Sequence, residues 1–221
     1  MKRHPSQELL DIDAGSDAEI ADSIRDLQMF NQNFGGVAGS EALIRAAVAQ
    51  LPCRAFTLLE VASGSGFVPN AVRQRLAPEI TVDVTLLDRS RRHLNGFARS
   101  VSGDALHLPF ADNSFDLVSC NLFVHHLNAA DVQTFAREAL RVCRVAFLIN
   151  DLIRDPFHLA LAYAGFPIYR SRITRNDAPA SVRQAYTPEE LTDLVKGSGA
   201  SRISLSRHYL YRMGIVAWKA A

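Results

Sequence analysis

The sequence predicts one α/β domain whose mostly parallel sheet ends in an antiparallel strand and carries helices on both faces. Three observations carry this. Short apolar runs alternate with amphipathic stretches between Phe56 and Asn150. A glycine-rich turn, Ser63-Gly64-Ser65-Gly66, joins the first run to the first such stretch. The last two runs, Arg202–His208 and Tyr209–Trp218, have so short a connection that they must pair antiparallel. A chain of 221 residues suits one such unit with a full core.

The elements follow in order. Ser16 with Glu19 forms a capping-box pattern ahead of the apolar stripe Ile20, Ile24 and Leu27, which stops at Asn33-Phe34-Gly35-Gly36. Ser40 reads as the cap of a second helix with Leu43, Ile44, Ala47, Val48 and Leu51 on one face, ended by Pro52. Phe56–Ala62 is the first strand, and Val68, Ala71, Val72 and Leu76 share a face of the next helix. Ile80–Leu87 and Phe115–Asn121 are further strands. Asn128 caps a helix bearing Val132, Phe135, Ala136, Ala139 and Leu140. Val142–Asn150 is nearly all apolar, as a strand covered on both faces should be. Thr187-Pro188-Glu189-Glu190 starts a last helix that runs to Gly197-Ser198-Gly199.

Composition excludes several classes. Hydrophobic residues make up 48% and charged residues 21%, as in an ordinary globular protein. Twenty-four basic and 23 acidic residues leave a net charge of +1, which offers no footprint for nucleic acid. Arg89, Arg91 and Arg92, and again Arg170, Arg172 and Arg175, read as solvated faces. Cys53, Cys120 and Cys143 show no metal-ligand spacing and no disulfide framework. The opening residues lack the apolar core of a signal peptide, and no run is long enough to span a bilayer, so the expectation is a cytoplasmic protein without stable membrane insertion.

The chemistry-bearing residues cluster at the strand ends. Gly64 and Gly66 let the backbone turn and approach a ligand, and the helix that follows presents free N–H groups to a carboxylate. Asp88 ends the second strand, where a carboxylate can accept from both hydroxyls of a ribose. Gly103-Asp104-Ala105 precedes Leu108-Pro109-Phe110, and Phe115-Asp116-Leu117-Val118 opens the fourth strand. In these segments, in order from Thr57 to Asn150, the chain resembles the small-molecule group of class I S-adenosylmethionine-dependent methyltransferases. The resemblance implies a seven-stranded, mostly parallel Rossmann-like sheet with an antiparallel terminal strand. It implies that Glu60, Ala62, Ser63, Gly64 and Gly66 hold the methionine part of S-adenosyl-L-methionine. Asp88 would then bind its ribose, Asp104 and Ala105 its adenine, and Asn121 would lie near the amine and sulfonium. Ala62 departs from the glycine usual at its position.

Each residue also has a plainer reading: turn glycines, Asp104 as a loop carboxylate, Asp88 as the cap of a helix over Ser90–Phe97. A nicotinamide-binding oxidoreductase is the nearest enzymatic rival. It lacks the third glycine, since Pro69 stands there, and no second domain remains for its substrate.

His125 and His126 follow the fourth strand, at the edge of a parallel sheet where ligands bind. They are the candidate catalytic bases if the acceptor must lose a proton, His126 being favoured; the alternative is a histidine that locks the loop. Residues 151–186, rich in Leu152, Ile153, Phe157, Leu159, Leu161, Tyr163, Phe166, Ile168 and Tyr169, are expected to form a helical insert shaping an acceptor pocket. Residues 1–52 are expected to form a helical lid. The expected function is methyl transfer to oxygen or carbon of a small apolar acceptor, aromatic or polyketide-like. The alternative is a binding or assembly protein of the same fold without turnover.

Overall fold

The computed structural model describes residues 1–49, 54–90, 94 and 99–220. Seven strands form one sheet: β1 (Ala55–Val61), β2 (Thr81–Asp88), β3 (Ser100–Ser102), β4 (Phe115–Asn121), β5 (Cys143–Leu152), β6 (Arg202–His208) and β7 (Arg212–Trp218). Their order is β3-β2-β1-β4-β5-β7-β6. The first five run parallel, while β7 is antiparallel to both β5 and β6. This is the predicted architecture. The strand order changes direction between β1 and β4, which puts the carboxyl ends of those two central strands side by side, with Glu60 paired to Ser119.

Helices cover both faces. Val37, Leu43 and Ile44 of α2 (Gly36–Val48) and Val68, Val72 and Leu76 of α3 (Phe67–Leu76) pack against Leu58, Leu86, Leu148 and Val216. On the other face, Val132 and Phe135 of α4 (Ala129–Val142) and Leu191 and Val195 of α7 (Pro188–Lys196) meet Leu59, Val118, Phe147 and Ile215. Phe135 sits edge-on to both Phe123 and Phe147, at 5.3 and 5.0 Å between centroids.

The N-terminal half departs from the pattern in two places. α1 (Asp17–Asn33) starts on the predicted capping box, but its buried residues are Ser23, Asp26 and Asn31, while Leu27 is exposed. The cause is its neighbour. Asp26 accepts from the backbone of Arg170 and Ser171, and Thr174 Oγ1 meets Ser23 Oγ, so polar pairing rather than apolar burial seats α1 on α6 (Arg172–Gln184). Ser40 is not a cap. Gly35, at φ +83°, turns the chain directly from α1 into α2, leaving Ser40 inside the helix. The Leu51 and Pro52 end of that helix lies outside the described residues, as does most of the Ser90–Phe97 helix.

At the other end, β7 begins at Arg212 rather than Tyr209, because Leu210 and Tyr211 adopt φ of 51° and 60° to reverse the chain. The 151–186 segment comprises the end of β5, α5 (Pro156–Ala164), a 3₁₀ turn at Phe166–Ile168, and α6. Its apolar run is not buried throughout. Phe157, Leu161, Tyr163 and Ile168 face outward, since α5 lies outside α6 and buries only Ala162. Among the described residues, no helix is long and apolar enough to cross a membrane.

Candidate functional site

The site is built on the carboxyl ends of β1, β2, β4 and β5. Where β1 becomes α3, Ala62, Gly64 and Gly66 all adopt positive φ, at 53°, 50° and 70°. Alanine in that region costs about 1–2 kcal/mol, so the turn holds a strained residue where glycine would rest. A Cβ at Gly64 would meet nothing within 4 Å, which means open space above the turn. Ser63 Oγ is buried without a hydrogen-bond partner among the described residues. Open space above the turn and the N–H groups of the first turn of α3 are the features by which such a turn can receive an anion.

Below the turn lies a polar chain. Glu60 is buried, and Ser119 Oγ and Asn121 Nδ2 donate to its carboxylate, the latter at 2.8 Å. Asn121 Oδ1 accepts from Ser40 Oγ at 2.6 Å, and Asn150 Nδ2 donates to Ser40 Oγ at 3.0 Å and to Gly36 O at 2.8 Å. Burial pushes the Glu60 carboxyl up to about 7, against the pull of its two donors. A nearby cation would reverse that shift. The next residue after β4, Leu122, sits at φ 50°, a strained position at the ligand edge.

Asp88 faces the glycine turn. Its carboxylate accepts from Gly64 N at 2.8 Å and Ser90 N at 2.9 Å, so it braces the glycine turn. Gly103 N donates to Asp88 O at 3.1 Å, which brings the Asp104 loop alongside. Asp104 is exposed and accepts from Leu106 N at 2.9 Å, while Ala105 packs partly buried against the core. The structure therefore gathers Glu60, Ala62, Ser63, Gly64, Gly66, Asp88 and Asn121 around one edge, with Asp104 and Ala105 on its flank.

The two histidines lie in a 3₁₀ turn, Val124–His126, with rings 4.2 Å apart. His125 is buried. Its Nδ1 is 2.6 Å from Asp151 Oδ1, and its Nε2 faces Glu8 Oε1 at 3.6 Å. Burial pulls the ring's pKa down, but the charges and hydrogen bonding of Asp151 and Glu8 outweigh it and lift it to about 10. His126 is partly exposed, with Nδ1 3.0 Å from Asp11 Oδ2. So the pair is not equivalent: one ring is enclosed between carboxylates, the other reaches the surface with its Nδ1 held.

Several site residues have little or no sequence signal. Glu8 and Asp11 come from the segment before α1, which runs along α6: His4 N donates to Arg183 O, and Leu9 N and Leu10 N donate to Asp177. Arg3 caps the His125 and Leu127 carbonyls at 2.8 Å each. Asn150 and Asp151 had one visible sign, a polar pair ending an apolar strand. Arg212 is buried, donates to Asn31 Oδ1 at 3.0 Å, and leaves Nη1 without a partner among the described residues. Burial lowers its pKa to about 10, with the Asp151 charge opposing.

Residues 59–146 match the family model described as a methyltransferase domain. A demethylmenaquinone methyltransferase of Roseiflexus sp. (strain RS-1) is 34% identical over 118 residues, covering 47% of this chain and 48% of that protein. One of Thermobifida fusca (strain YX) is 35% identical over 94 residues, covering 40% and 39%. The matches thus span about half or less of these curated relatives' length. A plantazolicin methyltransferase crystallised with a desmethyl analogue and SAH superposes with a TM-score of 0.69 over 93% of each chain, at 11% identity. That likeness is one of fold.

Proposed function

We propose that this chain, whose residues 59–146 match a methyltransferase-domain model, is a class I methyltransferase that transfers a methyl group from S-adenosylmethionine to oxygen or carbon of a small apolar acceptor. The observation that carries the reading is the shared edge of Glu60, the strained Ala62–Gly66 turn, Asp88 and Asn121. A buried carboxylate poised near neutrality suits the methionine ammonium, and the open cradle above Gly64 suits its carboxylate. Asp88 would take the ribose, with Asp104 and Ala105 beside the adenine. When bound, the cofactor supplies a methyl group already activated on a sulfonium.

The protein's own part is then alignment and exclusion of water. Where the acceptor must lose a proton, His126 would accept it, oriented through Nδ1 by Asp11, while the enclosed His125 positions the turn. The α1–α6 pairing through Asp26 joins the proposed lid, residues 1–52, to the proposed acceptor-side segment, residues 151–186. An aromatic acceptor fits the curated relatives, which are named for a demethylated quinone. Calorimetric titration tests the reading. S-adenosylmethionine or its demethylated product should bind with a Kd on the micromolar scale, roughly −8 kcal/mol, and NAD far more weakly. The reverse preference would end it.

A further inference from the structure

We propose that Glu8, His125 and His126 form a binding site for a divalent transition-metal ion, zinc in chemical class, that clasps the N-terminal segment over the histidine pair. One oxygen of Glu8 and one ring nitrogen from each histidine lie within 4.8 Å of one another. Two imidazoles and a carboxylate are a ligand set that zinc accepts, with a fourth position left for solvent or another side chain.

The spacing is compatible with an ion between the groups. Glu8 Oε1 and His125 Nε2 are 3.6 Å apart. Ligand bonds of about 2.0–2.1 Å set two atoms of a tetrahedral ion about 3.4 Å apart, close to this gap. The surroundings argue the same way. Asp151 holds His125 Nδ1 at 2.6 Å and Asp11 holds His126 Nδ1 at 3.0 Å, which fixes both rings and leaves each Nε2 for a ligand. A carboxylate behind each metal-binding imidazole is the usual supporting arrangement. Glu8 is fixed as well: Ser181 Oγ and Gln184 Nε2 donate to its Oε1 at 2.5 and 2.7 Å.

The consequence is mechanical. Glu8 belongs to the segment preceding α1, and both histidines belong to the turn after β4, so an ion would join parts of the chain over a hundred residues apart. It would also occupy the His126 nitrogen proposed as the free proton acceptor. An ion would add to the contacts that already hold this segment there, Arg3 on the His125 and Leu127 carbonyls and Asp11 on His126, and its removal would free the second His126 nitrogen.

The test uses tag-free full-length protein, stripped with a chelator and dialysed against zinc. One zinc per chain should be retained, with a higher Tm and with the bonds near Lys2 and Arg3 protected from trypsin. Cobalt in its place should give the visible absorption of a tetrahedral ion. Glu8→Gln and His126→Asn should each weaken zinc binding about tenfold or more with unchanged circular dichroism, whereas Asp22→Asn on the surface should not. Substoichiometric uptake, or uptake that both cluster variants leave unchanged, overturns the proposal. Chain that binds S-adenosylmethionine but takes up no zinc overturns the clasp alone and leaves methyl transfer standing.

Discussion

Asn121 Nδ2 donates to Glu60 Oε1 at 2.8 Å, tying the tip of β4 to the last acid of β1 inside the core. Because that acid is buried, its proton responds to whatever sits above it.

Glu60 should therefore make stability depend on pH. Burial raises its folded pKa to about 7 from 4.5, so its contribution is full below 4.5 and lost as pH rises through about 7. Glu60→Gln should unfold at a higher Tm than the parent near about pH 8, by up to about 3 kcal/mol, with little gap near about pH 5. An equal gap at both would show that this carboxyl does not titrate. If the ligand ammonium lies against Glu60, binding near pH 7 should also release protons, seen as a buffer-dependent calorimetric enthalpy.

Asp88→Ala should weaken S-adenosylmethionine binding about tenfold or more, since hydrogen bonds to a charged group are worth about 1.5–3 kcal/mol each. Two effects combine there: the ribose loses its acceptor, and the Gly64 and Ser90 amides lose theirs. Unchanged affinity in a titration would place the ribose elsewhere.

The two histidines should separate by phenotype, measured on chelator-treated protein with an acceptor found by screening aromatic compounds. His126→Ala should lower turnover about 100-fold while leaving cofactor affinity intact. His125→Ala should cost about 3–5 kcal/mol of stability, because it strands Asp151 as a buried carboxylate. Wild-type turnover in His126→Ala would leave alignment alone to carry the chemistry.

Ala62→Gly should not destabilise the protein and should raise its Tm slightly. Relief of about 1–2 kcal/mol of left-handed strain exceeds the about 0.4–1 kcal/mol of extra unfolded-chain entropy. A clear fall in Tm would mean that the Ala62 methyl packs favourably enough to outweigh its φ of 53°.

Much of the fold was legible because it is written in local periodicity. The alternation of apolar runs, the glycine turn after β1, the caps at Ser16, Asn128 and Thr187, and the terminal hairpin are each set by residues a few positions apart. The same holds for Glu60, Gly64, Gly66, Asp88 and Asn121, which stand at strand ends that this periodicity locates.

What the sequence determined by itself is thus the parallel sheet, its reversed strand and the line of residues along its carboxyl edge, because side-chain alternation, caps and turn residues are set by near neighbours in the chain. Only the tertiary structure decided that α1 would bury Asp26 and Asn31, that Ser40 would lie inside α2 against Asn121, and that His125 would be closed between Asp151 and Glu8. Each of these is a polar pairing between distant segments. Polar partners of that kind leave no period in the chain, since a single hydrogen bond needs one residue on each side and is satisfied only when the whole fold brings the two together.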